Sequence, residues 1–271
     1  EAMDESSTTF GLAVRELGEE EWTVESENIT DFTYTLSGLS SYTQYEVKVY
    51  TICEEENSSE KTVTLCTMPT DENILELPYE QNFDDLEDLA SWDMWTVTQN
   101  GVNKWYLGSI GARLSEDSEG GQGLYISNNN GVTNTYDPQG DNSVAHLSTL
   151  INIEEGNYYA VEFDYKAVGE ISWDDVAVSL FPVGESLPET NTIPSARIIG
   201  TSNSNTNQWT RVSVLVPQNI QPNVYQLVLS WRNDGGGGQT PPASIDNLHI
   251  FYTSCARVNE FTATMEDADG S

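Results

Sequence analysis

Positive charge is what this chain has least of. Ten Lys and Arg stand against 44 Asp and Glu in 271 residues, for a formal charge of −34. Binding nucleic-acid phosphates needs clustered Lys and Arg, so the shortage excludes that partner and argues equally against an anionic membrane surface. Histidine is scarce too: His146 and His249 are the only two, and neither has a spacing partner for a metal site. No Gly-x-Ser-x-Gly nucleophile elbow occurs. Three cysteines, Cys53, Cys66 and Cys255, make neither the tandem Cys-x-x-Cys pairs of structural zinc nor an even set for a disulfide framework. No apolar run approaches the ~20 residues of a membrane-spanning helix. No basic-then-apolar leader opens the chain, so any targeting element is expected to have been removed. Helical periodicity is nearly missing as well, and the run Asp84 to Ala90 offers one short helical turn at most.

Carboxylates, aromatics and period-two alternation fill the space. The acidity keeps a secreted protein soluble through mutual repulsion and also supplies ligands for divalent cations. Residues 1–69 read as strands between polar turns: Thr9 to Val14 alternates, Trp22 to Val24 follows an acidic turn, and Lys61 to Leu65 comes last. Met68 to Asn73, with its proline and polar residues, marks a boundary. Residues 70–254 then carry strand candidates at Tyr158 to Tyr165, Asp175 to Leu180, Trp209 to Val216, Tyr225 to Trp231 and Ser244 to Phe251. Polar loops at 115–143, 185–208 and 233–242 separate them, and Gly235 to Gly238 is a flexible loop rather than a phosphate cradle. Short strands with long loops and almost no helix predict an all-β chain whose larger unit is a two-sheet jelly-roll β-sandwich.

One run narrows the context. Leu36 and Leu39 end a strand, a turn follows, and Tyr45, Val47 and Val49 then alternate with polar residues. A Tyr at the start of such a strand buries its ring and returns its hydroxyl to the backbone of the preceding corner. The run resembles the corner between the fifth and sixth strands of a fibronectin type III domain. The resemblance covers only the later strands, because the first two, including the one with a buried Trp, are missing. The tail from Cys255 through Phe261 looks like the opening of a further such domain, assigned to 255–271. Flanking domains of the same parent chain are therefore expected.

In the larger unit the order of motifs is informative. Leu77-Pro-Tyr-Glu-Gln-Asn-Phe-Asp84 opens it, and Trp92 and Trp105 follow. Val161 to Gly169 leads into Asp175 to Leu180, then Trp209 to Val214, the strand ending at Trp231, and Ala243 to Ile250. This succession is similar to the MAM and cleaved-adhesin jelly rolls, including the gingipain-type adhesin modules of Bacteroidota. In that group residues of the first and last strands lie together and hold calcium. The resemblance implies a structural calcium ion at Asp84 and Asp246, with Gln81 and Asn82 beside them; Glu80, Asp85 and Asn247 crowd the same two ends. Gln81 stands where the family often has Glu, one charge fewer.

Trp173, with Asp174 and Asp175, is the best candidate for a ligand contact, since it lies in a loop while Trp92, Trp105, Trp209 and Trp231 fall in or beside strands and read as core. The two aspartates read equally as a solvated loop end, and Asp137 to Asp141 is a weaker loop candidate. Cys66 and Cys255 bracket the larger unit, so a bridge between them would staple its ends; a Cys53–Cys66 bridge, or none, are the alternatives. Asn28-Ile-Thr30 and Asn57-Ser-Ser59 match the N-glycosylation pattern and are expected to be silent in a bacterial protein. The function expected is a non-catalytic adhesion module of an extracellular or cell-surface bacterial protein, binding host protein or glycan. A carbohydrate-binding accessory of a glycan-degrading enzyme and an architectural stalk are the competing expectations.

Overall fold

The computed structural model describes residues 9–41, 43–52, 57–67, 69–84, 92–96, 103–113, 121–140, 142–170, 172–202 and 207–254. Among them there is no α-helix, only short 3-10 turns at Asp71–Asn73 and Ser109–Gly111. The expected helical turn falls after Asp84 on residues outside this set.

The first sheet contains β1 (Thr9–Glu16), β2 (Thr23–Ile29), β3 (Gln44–Ile52) and β4 (Lys61–Cys66), in the order β2-β1-β3-β4. All its neighbours are antiparallel. Leu12 lies opposite Val49 and Val14 opposite Val47, so period-two alternation gathers the apolar side chains on one face. Leu12, Val14, Ile29, Tyr45 and Val47 form its core, with Phe10, Leu36 and Leu39 packed against them. The Ser40 backbone N–H donates to Tyr45 Oη at 3.0 Å, which is the corner contact expected from the sequence. Val63 and Leu65, opposite Val47 and Tyr45, stay exposed on the same face.

Eleven strands follow: β5 (Tyr79–Gln81), β6 (Asp93–Thr96), β7 (Lys104–Gly108), β8 (Gly123–Ser127), β9 (Ser143–Ile153), β10 (Tyr158–Lys166), β11 (Asp175–Pro182), β12 (Ile198–Thr201), β13 (Thr210–Leu215), β14 (Asn223–Asn233) and β15 (Ser244–Thr253). One sheet runs β13-β10-β15-β8-β7 with β5 also paired to β15, and the other runs β12-β11-β14-β9-β6. Their inner faces supply one core: Leu147 and Ile151 from β9, Phe163 and Tyr165 from β10, Val176 and Val178 from β11, Leu229 and Trp231 from β14, and Ile245 and Ile250 from β15. Trp92, Trp105 and Trp231 belong to it, as expected, at 7%, 5% and 0% exposure. Trp209 does not; it is half-exposed, with Lys166 Nζ 5.4 Å above its ring.

Two of the expected loops contain strands. β8 lies inside 115–143 and β12 inside 185–208. β9 passes unnoticed in the sequence because its polar residues, all but Asn152, are buried beside its apolar ones. His146 sits inside β9, with Nδ1 2.8 Å from Ser230 Oγ and Nε2 2.9 Å from the Pro188 carbonyl. Burial holds its pKa below the ordinary value. The segment between β11 and β12 therefore lies across the outside of the second sheet, where Leu187 and Ile193 also pack on Ala177, Phe181 and Val228.

Candidate functional site

Pairing places the first and last strands of the sandwich side by side, Gln81 opposite Leu248 and Glu80 opposite His249. After Gln81 the chain turns through Phe83, fully buried and at φ 62°. The turn is held from inside: the Phe83 N–H donates to Gln81 Oε1 at 2.6 Å. Gln81 is 3% exposed, and its oxygen accepts this one N–H of the turn. Asn82 and Asp84 point outward. The Asp84 N–H donates to Asn82 Oδ1 at 3.1 Å, Asn82 Nδ2 donates to Asp84 Oδ2 at 3.3 Å, and the Gln122 N–H donates to Asp84 Oδ1 at 2.7 Å.

Asp246 comes to the same place from β15. It is buried, and its two oxygens accept the N–H groups of Arg113 at 2.6 Å and Asn247 at 2.7 Å. Burial pushes its pKa up to about 6; the two N–H bonds oppose the rise, and the charges of Asp164 and Asp84 add to it. The structure thus brings Asp84 and Asp246 within electrostatic reach and adds Asp164, which lies opposite Asp246 on β10. Asp164 is neutralised by Arg113 Nη1 at 2.6 Å and Arg211 Nη1 at 3.4 Å, and accepts Asn247 Nδ2 at 2.8 Å. Among the described residues no cation forms an ion pair with Asp246. Among the described residues no three carboxylates, imidazoles or thiols converge as a ready metal cage. Asp85 lies outside the described residues.

Asp164, Arg113 and Arg211 were not singled out from the sequence. The signal available was scarcity: in a chain with ten cations, each arginine is a marked residue.

The second candidate lies on the turn between β10 and β11. Trp173 is 57% exposed, whereas Asp174 and Asp175 are 1% and 3% exposed. The sequence alternative of a solvated loop end is therefore wrong for both aspartates. Asp175 forms a two-pronged ion pair with Arg232, at 2.7 and 2.9 Å to the Nη2 group. Asp174 accepts the Tyr136 hydroxyl at 2.5 Å and the Glu170 N–H at 3.0 Å, while the Trp173 N–H donates to the Glu170 carbonyl at 3.1 Å. Burial raises the Asp174 carboxyl pKa and the hydrogen bonds restrain it. Gly238, at φ 78°, closes over this carboxylate: a side chain there would strike both Asp174 and Tyr136. Asp174 thus ties the turn to Tyr136 and to the glycine-rich loop, and the indole stands out from a fixed base.

Asp137 accepts the Gln139 N–H at 3.0 Å in a local turn. Cys53 and Cys255 lie outside the described residues, and Cys66 closes β4. His249 stacks on Phe251 at 4.3 Å and lies 3.6 Å from Glu80.

No family model matches the chain. No curated protein matches it either. Among solved structures it is similar to the cleaved adhesin domain of Lys-gingipain from Porphyromonas gingivalis, with 14% identity over 65% of this chain and 98% of that one, at a TM-score of 0.42. It is also similar to a carbohydrate-binding module of the β-sandwich superfamily (12% identity, 91% and 85% covered, TM-score 0.37). A carbohydrate-binding module studied for mannan recognition is a third (13% identity, 64% and 95% covered, TM-score 0.31). Likenesses at these scores assign no ligand and no residue role to this chain.

Proposed function

We propose that this chain is a non-catalytic binding module of an extracellular or cell-surface protein, and that it engages a glycan or a host-protein surface through Trp173. The observation that carries the reading is a large exposed indole on a turn anchored by the buried Asp174 and Asp175. An aromatic that keeps its position when free loses little entropy on binding, and it offers a flat apolar face to a sugar ring or a partner's pocket. Asp174 and Asp175 serve this site from behind, as positioning residues. Calcium is proposed as a structural ion between Asp84 and Asp246, with Asn82 beside them and further oxygens from carbonyls and water. The donor set supports it in one respect: Asp246 is a buried carboxylate lifted to about 6 by burial and by like charges. A cation at that point would relieve the repulsion.

The experiment is retention of the full chain on a glycan array and on immobilised matrix proteins, with millimolar calcium and with a chelator. Binding that Trp173→Ala abolishes supports the reading; retention unchanged in that variant, or no retention on any surface, overturns it.

A further inference from the structure

At the opposite end of β10 from Trp173 the sandwich contains a concavity of about 300 Å³, between the β9–β10 turn and the β13–β14 connection. β10 has nine residues, so the two places are roughly 30 Å apart. The floor is apolar: Ile153, Tyr159 and Val216, each about 5% exposed. The rim carries Glu154 and Glu155 on one side and, among prolines and Ile220, Gln218 and Gln221 on the other.

From this lining we infer that the pocket is a separate subsite for one neutral sugar residue. No Lys or Arg lines it, and two carboxylates repel an anion. Primary amides both donate and accept, and carboxylates accept. Vicinal sugar hydroxyls, which also do both, satisfy such a rim, while the ring's C–H groups lie on the floor. An ammonium group would use the acceptors and leave the amide N–H groups idle. The pocket is also held open by the fold itself. The Glu154 N–H donates to Tyr159 Oη at 2.9 Å and the Val216 N–H donates to the Tyr159 carbonyl at 3.0 Å, so one buried tyrosine fixes both walls. Tyr225 Oη donates to the Gln221 carbonyl at 2.9 Å, fixing the far rim. Asn157 Nδ2 orients Glu154 from 3.2 Å. Little of the binding free energy is then lost in ordering the site.

The test is amide NMR of the isotopically labelled full chain, titrated with methyl α-mannoside, methyl β-galactoside, methyl β-glucoside and N-acetylglucosamine, and separately with n-butylamine. The expected result is saturable shifts confined to residues 154–159 and 216–222 with at least one sugar. Gln218→Ala with Gln221→Ala weakens them at least tenfold, and Trp173→Ala leaves them unchanged. Shifts with the amine and none with the sugars overturn the inference, as does silence with all four sugars. Because Trp173 is the readout of the first site, the two readings fail independently.

Discussion

At the scale of single residues, three arginines serve the two buried carboxylates Asp164 and Asp175. Asp175 and Arg232 form a pair 4% and 17% exposed at the side chains. Removing one partner strands a buried charge, so Asp175→Ala is expected to cost about 3–5 kcal/mol of stability by urea denaturation. Trp173→Ala, at an exposed tip, is expected to change stability by less than about 0.5 kcal/mol, which keeps its binding assay interpretable. Asp246 has the opposite relation to pH from an ion-paired carboxylate. Its folded pKa, about 6, lies above the ordinary 3.8, so the folded state takes up the proton more readily than the unfolded chain. The stabilisation from protonation is therefore full below the unfolded value and is lost as pH rises through about 6. In calcium-free buffer, lowering the pH from about 7 to about 5 should raise the contribution of this residue to stability, and Asp246→Asn should flatten that part of the profile. Thermal melts across the interval measure it; a wild-type slope equal to that of the variant would remove Asp246 as its cause.

At the scale of elements, what was legible depended on where polar residues point. β10, β11, β13, β14 and β15 announce themselves as apolar and β-branched runs, and they form where expected to within a few residues. β9 reads Ser-Val-Ala-His-Leu-Ser-Thr-Leu-Ile-Asn-Ile, and the polar members look like loop. Of these, His146 and Ser148 alternate with the core residues and face outward, where the β11–β12 connection covers His146 and supplies Pro188 beside Ser230, so polarity there did not mean solvent. The covering segment comes from far along the chain, and no local pattern discloses it. The same limit applied to the acidic site: the meeting of Asp84 and Asp246 was what the resemblance implied, but Asp164 and Arg211 join it only through strand register, and Arg113 only through the loop after Ser109–Gly111. The tyrosine corner was the reverse case, a local contact read from a local pattern. Tyr45→Phe removes the acceptor for the Ser40 N–H and is expected to cost about 1 kcal/mol, measured on the first sheet by hydrogen exchange.

At the scale of the whole molecule, calcium is expected to act as a modest stabiliser. A site of ~10⁻⁴ M affinity in millimolar calcium gains about 1.4 kcal/mol, a rise of a few degrees in melting temperature. Asp84→Asn should abolish that rise while leaving the chelated protein's melt in place, and a calcium-induced rise that survives the substitution would put the ion elsewhere. The neighbouring of β5 and β15 has a mechanical meaning. The two strands are antiparallel and pair Tyr79 with Ile250, so the chain enters and leaves the sandwich at one end. Tension along the chain would pull this pair apart like a zip, breaking hydrogen bonds one after another instead of shearing them together. The sandwich would hang as a side lobe on a loaded tether and yield at low force, lengthening the tether as it opens.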